Sequence, residues 1–199
     1  MSQTIENKVI SRIYGKKRGW VFTKSHFLDL GNPKTIAKIL ERLVNSGKIR
    51  RLTRGLYDYP RRHPVLGYLP AHYENIARAL AGRDSLKIQP SGAYAANLLG
   101  LTSQVPAKIV FLNDGLNRTI AVNKQQIIFR RTTPKNMATA GKVSGLVIQA
   151  LRHMGKDHAD DDIIRMLKTK LTLSDKRRLM NDIRYAPAWI GNIFRELQK

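Results

Sequence analysis

Apolar residues recur at helical spacing from the start of the chain. Ile5, Val9, Ile10 and Ile13 share one face of a short helix over residues 4–14, and Gly15 stops it before the basic run Lys16-Lys17-Arg18. Trp20, Val21 and Phe22 form a brief extended apolar patch, and Thr23 is placed to cap a second short helix over residues 24–30. Gly31-Asn32-Pro33 then joins an N-cap residue to a proline at the first helical position, where its missing N–H costs nothing. The helix so started covers residues 33–46, turns Ile36, Ile39, Leu40, Leu43 and Val44 inward, and ends at Gly47. Residues 48–52 and 56–59 around Thr53-Arg54-Gly55 predict a β-hairpin. Pro60 and the basic segment Arg61-Arg62-His63-Pro64 read as a linker, dividing the chain into domains 1–62 and 63–199.

The second region opens with a helix over residues 73–81 and a short strand over 86–89, after which Ser91 is placed to cap a small-residue helix. Three β-type segments follow, over residues 108–113, 118–122 and 126–131. Asp114-Gly115 is a hairpin signal between the first two, so an antiparallel meander is expected. From residue 139 onward the periodicity is helical to the end. The fold class is therefore α+β: a three-helix-and-hairpin domain, then a domain with a small antiparallel sheet and a C-terminal helical part.

Charge changes this picture. Thirty-six Lys and Arg face fourteen Asp and Glu, a net charge of +22, although 42% hydrophobic and 25% charged residues are ordinary for a globular protein. Such an excess repels itself in a compact state unless a polyanion neutralises it. Half of it lies in residues 1–62, where fifteen basic side chains face four acidic ones. No stretch approaches the roughly 20 apolar residues of a membrane-spanning helix. The N-terminal segment lacks the pattern of a secretory signal, and the absence of cysteine excludes disulfides, zinc fingers and iron–sulfur clusters. A cytoplasmic nucleic-acid-binding protein is expected, with no cofactor and no membrane partner.

Helix order, turn chemistry and charge together predict an N-terminal winged helix-turn-helix that reads double-stranded DNA. Lys34, Thr35, Lys38 and Arg42 project outward from the third helix, mostly from the half that meets base edges in the major groove. Side chains alternate along a strand, so Arg50, Arg51 and Arg54 cannot all point the same way. Arg51 or Arg54, with Thr53, is expected at phosphate or the minor groove, and Lys16, Lys17 and Arg18 at phosphates that set position.

The run FLDLGNPKTIAKILERLVNSGKIRRLTRGLYDYPRRHPVLG resembles the N-terminal domain of AbiEi-type antitoxins of type IV toxin–antitoxin systems. QPSGAYAANLLGL, QVPAKIVFLNDG, AGKVSGLVIQALRHMG and YAPAWI extend that resemblance over most of the chain. The resemblance implies a transcriptional autorepressor that binds inverted repeats upstream of its own operon, with the C-terminal domain supplying antitoxin activity. It implies a nucleotidyltransferase-like toxin as functional partner, neutralised without a stable complex. A homodimer on DNA follows from an inverted-repeat operator. A stand-alone DNA- or RNA-binding regulator without a toxin is the alternative.

Other constellations carry less. Asp157-His158-Ala159-Asp160-Asp161-Asp162 invites a metal reading and, with it, a nuclease or nucleotidyltransferase. Its carboxylates directly precede an apolar helix, however, where they cap the N-terminus and complement its dipole. Ser91-Gly92-Ala93 lacks the full nucleophile-elbow pattern. No catalytic residue and no metal ligand is assigned. Arg130-Arg131 and Lys176-Arg177-Arg178 would extend a DNA footprint, bind RNA or be solvated.

Overall fold

The computed structural model describes residues 4–122 and 125–199, apart from the side chain of Arg83. It is α+β and divides into two compact units. Met1–Ser85 with Ala121–Lys124 form one, and Leu86–Ile120 with Gln125–Lys199 the other.

In the first unit α1 (Ile5–Gly15) is followed by β1 (Val21–Phe22), a 3-10 turn (Lys24–Phe27), α2 (Pro33–Asn45), β2 (Arg50–Thr53) and β3 (Leu56–Asp58). Two further short strands, β4 (Arg62–His63) and β5 (Gly67–Tyr68), precede α3 (Tyr73–Arg83). The strands β1, β3 and β2 pair in that order, antiparallel throughout. Val9, Ile13, Phe22, Phe27, Ile36, Ile39, Leu40, Leu43 and Ile49 make the core. The apolar stripe expected on the third helix is therefore its buried face, apart from the half-buried Val44.

Two expectations change here. The helix expected over residues 24–30 tightens to a single 3-10 turn. The Arg12 Nη1 donates to the His26 carbonyl at 2.7 Å, taking an acceptor that a continuing helix would use. The same guanidinium binds both oxygens of Asp29 at 2.6 Å, so α1 is tied to the end of the turn. Nor is the segment after Pro60 a plain linker. It forms the β4–β5 hairpin, and the unit runs on to Ser85 instead of ending at residue 62. Two bonds explain this: Arg50 Nη2 donates to the Leu69 carbonyl at 2.8 Å, and Asn75 Nδ2 to the Gly19 carbonyl at 3.0 Å.

The second unit holds β6 (Ile88–Ser91), α4 (Gly92–Leu98), β7 (Lys108–Asn113), β8 (Arg118–Val122) as far as Ile120, β9 (Gln125–Arg131) and α5 (Pro134–Met137). Then come α6 (Val143–Met154), α7 (Asp161–Lys170), α8 (Leu173–Asn181) and α9 (Ala188–Glu196). The sheet is ordered β6-β7-β9-β8. It is mixed, not the expected antiparallel meander: β6 and β7 run antiparallel, but β7 and β9 are parallel, Lys108 facing Gln126 and Asn113 facing Arg131. Asp114 and Asn113 account for the difference. Asp114 Oδ1 accepts from Lys87 N–H at 3.0 Å and Asn113 Oδ1 from Gly115 N–H at 2.6 Å, so these side chains hold a bend that leads away from β7.

Helix α6 is central to this unit. Val147, Ile148, Ala150 and Leu151 are buried with Leu167, Leu179, Ile190 and Phe194 from the later helices. Gly145 lies so close to the Thr139 carbonyl and the Gln89 side chain that no Cβ fits there. Ser91 stands at the start of α4, but its hydroxyl donates to Gln149 Oε1 at 3.1 Å instead of capping. The acidic cluster behaves as the helix-start reading expects: Asp160 Oδ1 accepts from Ile163 N–H at 3.0 Å, with Asp161 and Asp162 in the first turn of α7. Among the described residues, no helix is long and apolar enough to cross a membrane.

Candidate nucleic-acid interface

Helix α2 is fixed at both ends by local chemistry. Asn32 Oδ1 accepts from Thr35 N–H at 2.9 Å, Pro33 occupies the first turn, and Gly47 leaves the helix at φ +69°. With Ile36, Ile39, Leu40 and Leu43 locked inward, Lys34, Lys38 and Arg42 are exposed and lie four residues apart, on one face. Thr35 is half-buried beside them. Arg42 is not unpartnered: its Nη2 meets Glu6 Oε2 of α1 at 2.8 Å.

The hairpin sorts its arginines by strand parity. Arg50 turns inward, its Nε and Nη2 donating to the two oxygens of Asp58 at 3.0 and 2.6 Å, and Asp58 is only 1% exposed. Arg51 therefore faces solvent. Pairing shifts between Arg51 and Thr53, leaving Thr53 half-buried and Arg54 exposed at the turn, where Gly55 has φ +76°.

The third expected group is divided. Lys16 and Lys17 are exposed after α1, and Lys17 sits in the left-handed region at φ +65°. Arg18 has a structural task. Its Nη1 donates to the Pro60 carbonyl at 2.9 Å, and its guanidinium lies 4.7 Å from the centre of the Tyr59 ring. Lys16 and Arg18 also border a cavity of about 390 Å³, with Trp20, His26, Arg61 and Arg78. Burial pushes the His26 imidazole below its ordinary pKa, its bond with the Thr23 backbone opposes this, and Lys16 and Arg12 lower it further. The cavity was not visible in the sequence. Its arginines come from the presumed linker and from α3, and nothing local shows that these converge on Lys16.

In the second unit Arg130 and Arg131 are exposed at the end of β9, and Arg177 and Arg178 on α8. Asp175, which faces Arg178 at 3.9 Å, has its carboxyl held below the usual range, chiefly by the Thr172 hydroxyl that donates to it at 2.6 Å.

The molecule is thus an α+β protein whose first unit displays cations from one helix face and one hairpin. The chain belongs to the DUF6088 family, described as a family of unknown function, whose model matches residues 8–179. No curated protein matches it. Among solved structures it is similar to the RV2827C protein from Mycobacterium tuberculosis. That likeness has 15% identity and a TM-score of 0.47, covering 100% of this chain and 77% of the other.

Proposed function

We propose that the chain is a sequence-specific DNA-binding transcriptional regulator, its first unit a winged helix-turn-helix with α2 as the recognition helix and β2–β3 as the wing. One observation carries the reading: the apolar face of α2 is locked in the core while Lys34, Thr35, Lys38 and Arg42 stand outside it, with Arg51 and Arg54 displayed by the following hairpin. Lys34 and Thr35 at the N-terminal end approach base edges with Lys38. Arg42 exchanges Glu6 for DNA at small cost, because an exposed ion pair contributes only about 0.2–1 kcal/mol. Arg51, Arg54, Lys16 and Lys17 contact phosphates, and Arg18 holds the chain around Pro60 in place.

The regulator acts as an autorepressor and antitoxin of a type IV toxin–antitoxin system, a reading supported by the resemblance of both units to AbiEi-type antitoxins. Its functional partner is then a nucleotidyltransferase-like toxin that it counteracts without a stable complex, and it binds an inverted repeat as a homodimer.

Selection of duplexes from a randomised pool by the full chain, followed by salt titration against structured RNA, tests DNA reading. An enriched inverted repeat that the chain binds more tightly than RNA at equal salt is expected. Tighter RNA binding, or no enriched sequence, overturns it. The antitoxin role is tested by whether the chain restores growth to cells expressing a nucleotidyltransferase-like protein encoded beside it. Growth that stays arrested leaves the regulator alone.

A further inference from the structure

The cavity beside α1 collects positive charge away from the outward residues of α2 and the β2–β3 hairpin. Lys16, Arg18, Arg61 and Arg78 border it with His26 and His72, and no carboxylate is among its described lining residues. Two of the four cations are held in place by neighbours. Arg18 is fixed by the Pro60 carbonyl and the Tyr59 ring. Arg61 Nη2 meets His72 Nε2, and its aliphatic stem lies along Gly19, where an added Cβ would stand 3.2 Å from Arg61 Cγ and Cδ. Gly19 has φ +95°, so this backbone path both needs glycine and leaves the room that Arg61 occupies. Arg78 pairs with Glu74, four residues before it on α3, at 2.7 Å. Asn75 pins the Gly19 carbonyl at 3.0 Å and so fixes the floor.

Guanidinium groups immobilised before a ligand arrives lose little freedom on binding, and their planar forks match phosphate oxygens. Cations without a lining carboxylate suit an anionic ligand. Trp20 adds an apolar ring wall, and about 390 Å³ is within the range of small-ligand sites. We propose that this cavity is a binding site for a phosphate ester, gripped by Arg61, Arg78 and Lys16, with its organic part against Trp20. The proposal stands independently of what α2 reads. The ester is supplied either by a free phosphorylated small molecule or by the backbone of bound DNA.

The test uses the full chain carrying Trp189→Phe, which leaves Trp20 as the remaining one of two tryptophans. Glycerol 3-phosphate is titrated by Trp20 emission and by calorimetry, against sodium chloride and sodium acetate at equal ionic strength. A saturable signal with the phosphate ester is expected, absent with the other two salts. Affinity should fall at least tenfold in Arg61→Gln and in Arg78→Gln, the latter an exposed position whose far-UV circular dichroism should match the parent. No signal, an equal response to acetate, or parental affinity in both variants overturns the site. A final arm adds saturating duplex DNA. Loss of glycerol 3-phosphate binding identifies the DNA backbone as the source, and simultaneous binding identifies a free ester; both support the site. A chain that binds no DNA but gives the phosphate signal refutes the DNA reading and keeps the site.

Discussion

Adjacent arginines on β2 should fail in opposite ways when removed. In Arg50→Ala the Asp58 carboxylate, 1% exposed, loses both of its guanidinium donors, at 3.0 and 2.6 Å, and the Leu69 carbonyl loses a third bond at 2.8 Å. Breaking a buried pair by deleting one partner costs about 3–5 kcal/mol. The Arg50 side chain is itself 31% exposed, so water enters once it is gone and rehydrates part of the carboxylate. The expected loss therefore falls below that range, at about 2–3 kcal/mol. Replacing both partners, as Arg50→Met with Asp58→Leu, strands no charge and should cost under about 1 kcal/mol. Arg51→Ala removes an exposed side chain and should leave stability within about 0.5 kcal/mol of the parent. Urea unfolding followed by Trp20 emission in the Trp189→Phe background measures all three midpoints and slopes. A midpoint for Arg50→Ala equal to the parent's, or a double variant as damaged as the single one, would refute the argument that a stranded carboxylate is the dominant cost.

Other outcomes follow from the same coordinates. Lys38→Ala should weaken a selected site by about 1–3 kcal/mol and relax its sequence preference, whereas Arg51→Ala should weaken all duplexes alike and reduce the salt slope by about one. Fluorescence anisotropy with specific and scrambled duplexes reads both, and unchanged discrimination in Lys38→Ala sinks the docking of α2. Asp160→Ala removes the cap on Ile163 N–H and should cost about 1 kcal/mol, with Asp160→Asn close to the parent in thermal unfolding; a metal-dependent nuclease activity lost in a well-folded Asp160→Asn would contradict the capping role. His26 has a folded pKa below its ordinary 6.5, so between the two values the unfolded chain binds more protons and stability rises with pH. Stability should fall as pH drops from about 7 through that window, and His26→Gln should flatten the dependence of the urea midpoint; a parent that gains stability on acidification would reverse the sign and refute it.

Local chemistry was legible. Asn32-Pro33 and Gly47 bracket α2, and β7 and β8 have the boundaries expected of them. Asp160 caps because the hydrogen bond it makes is three residues away. What was not legible depends on partners distant in sequence. Arg18 reads as a free phosphate contact until Tyr59, and Pro60 42 residues on, are seen to hold it. Ser91 reads as a cap until Gln149 takes its hydroxyl. Arg61 and Arg62 resemble a linker because a two-residue strand has too few positions to show alternation. The outward set on α2 was visible in the sequence and the cavity was not, since one lies on a single helix and the other is assembled from several elements.

The strand order β6-β7-β9-β8 sets the sequence in which this domain can be completed during synthesis. The strand made last fills the gap between its two predecessors, and it brings Ile127 and Phe129, both 0% exposed. Until it inserts, β7 carries an open edge able to pair with another chain. A nascent chain halted before Gln125 therefore exposes an adhesive sheet edge, and the step that removes the hazard is the arrival of one seven-residue strand.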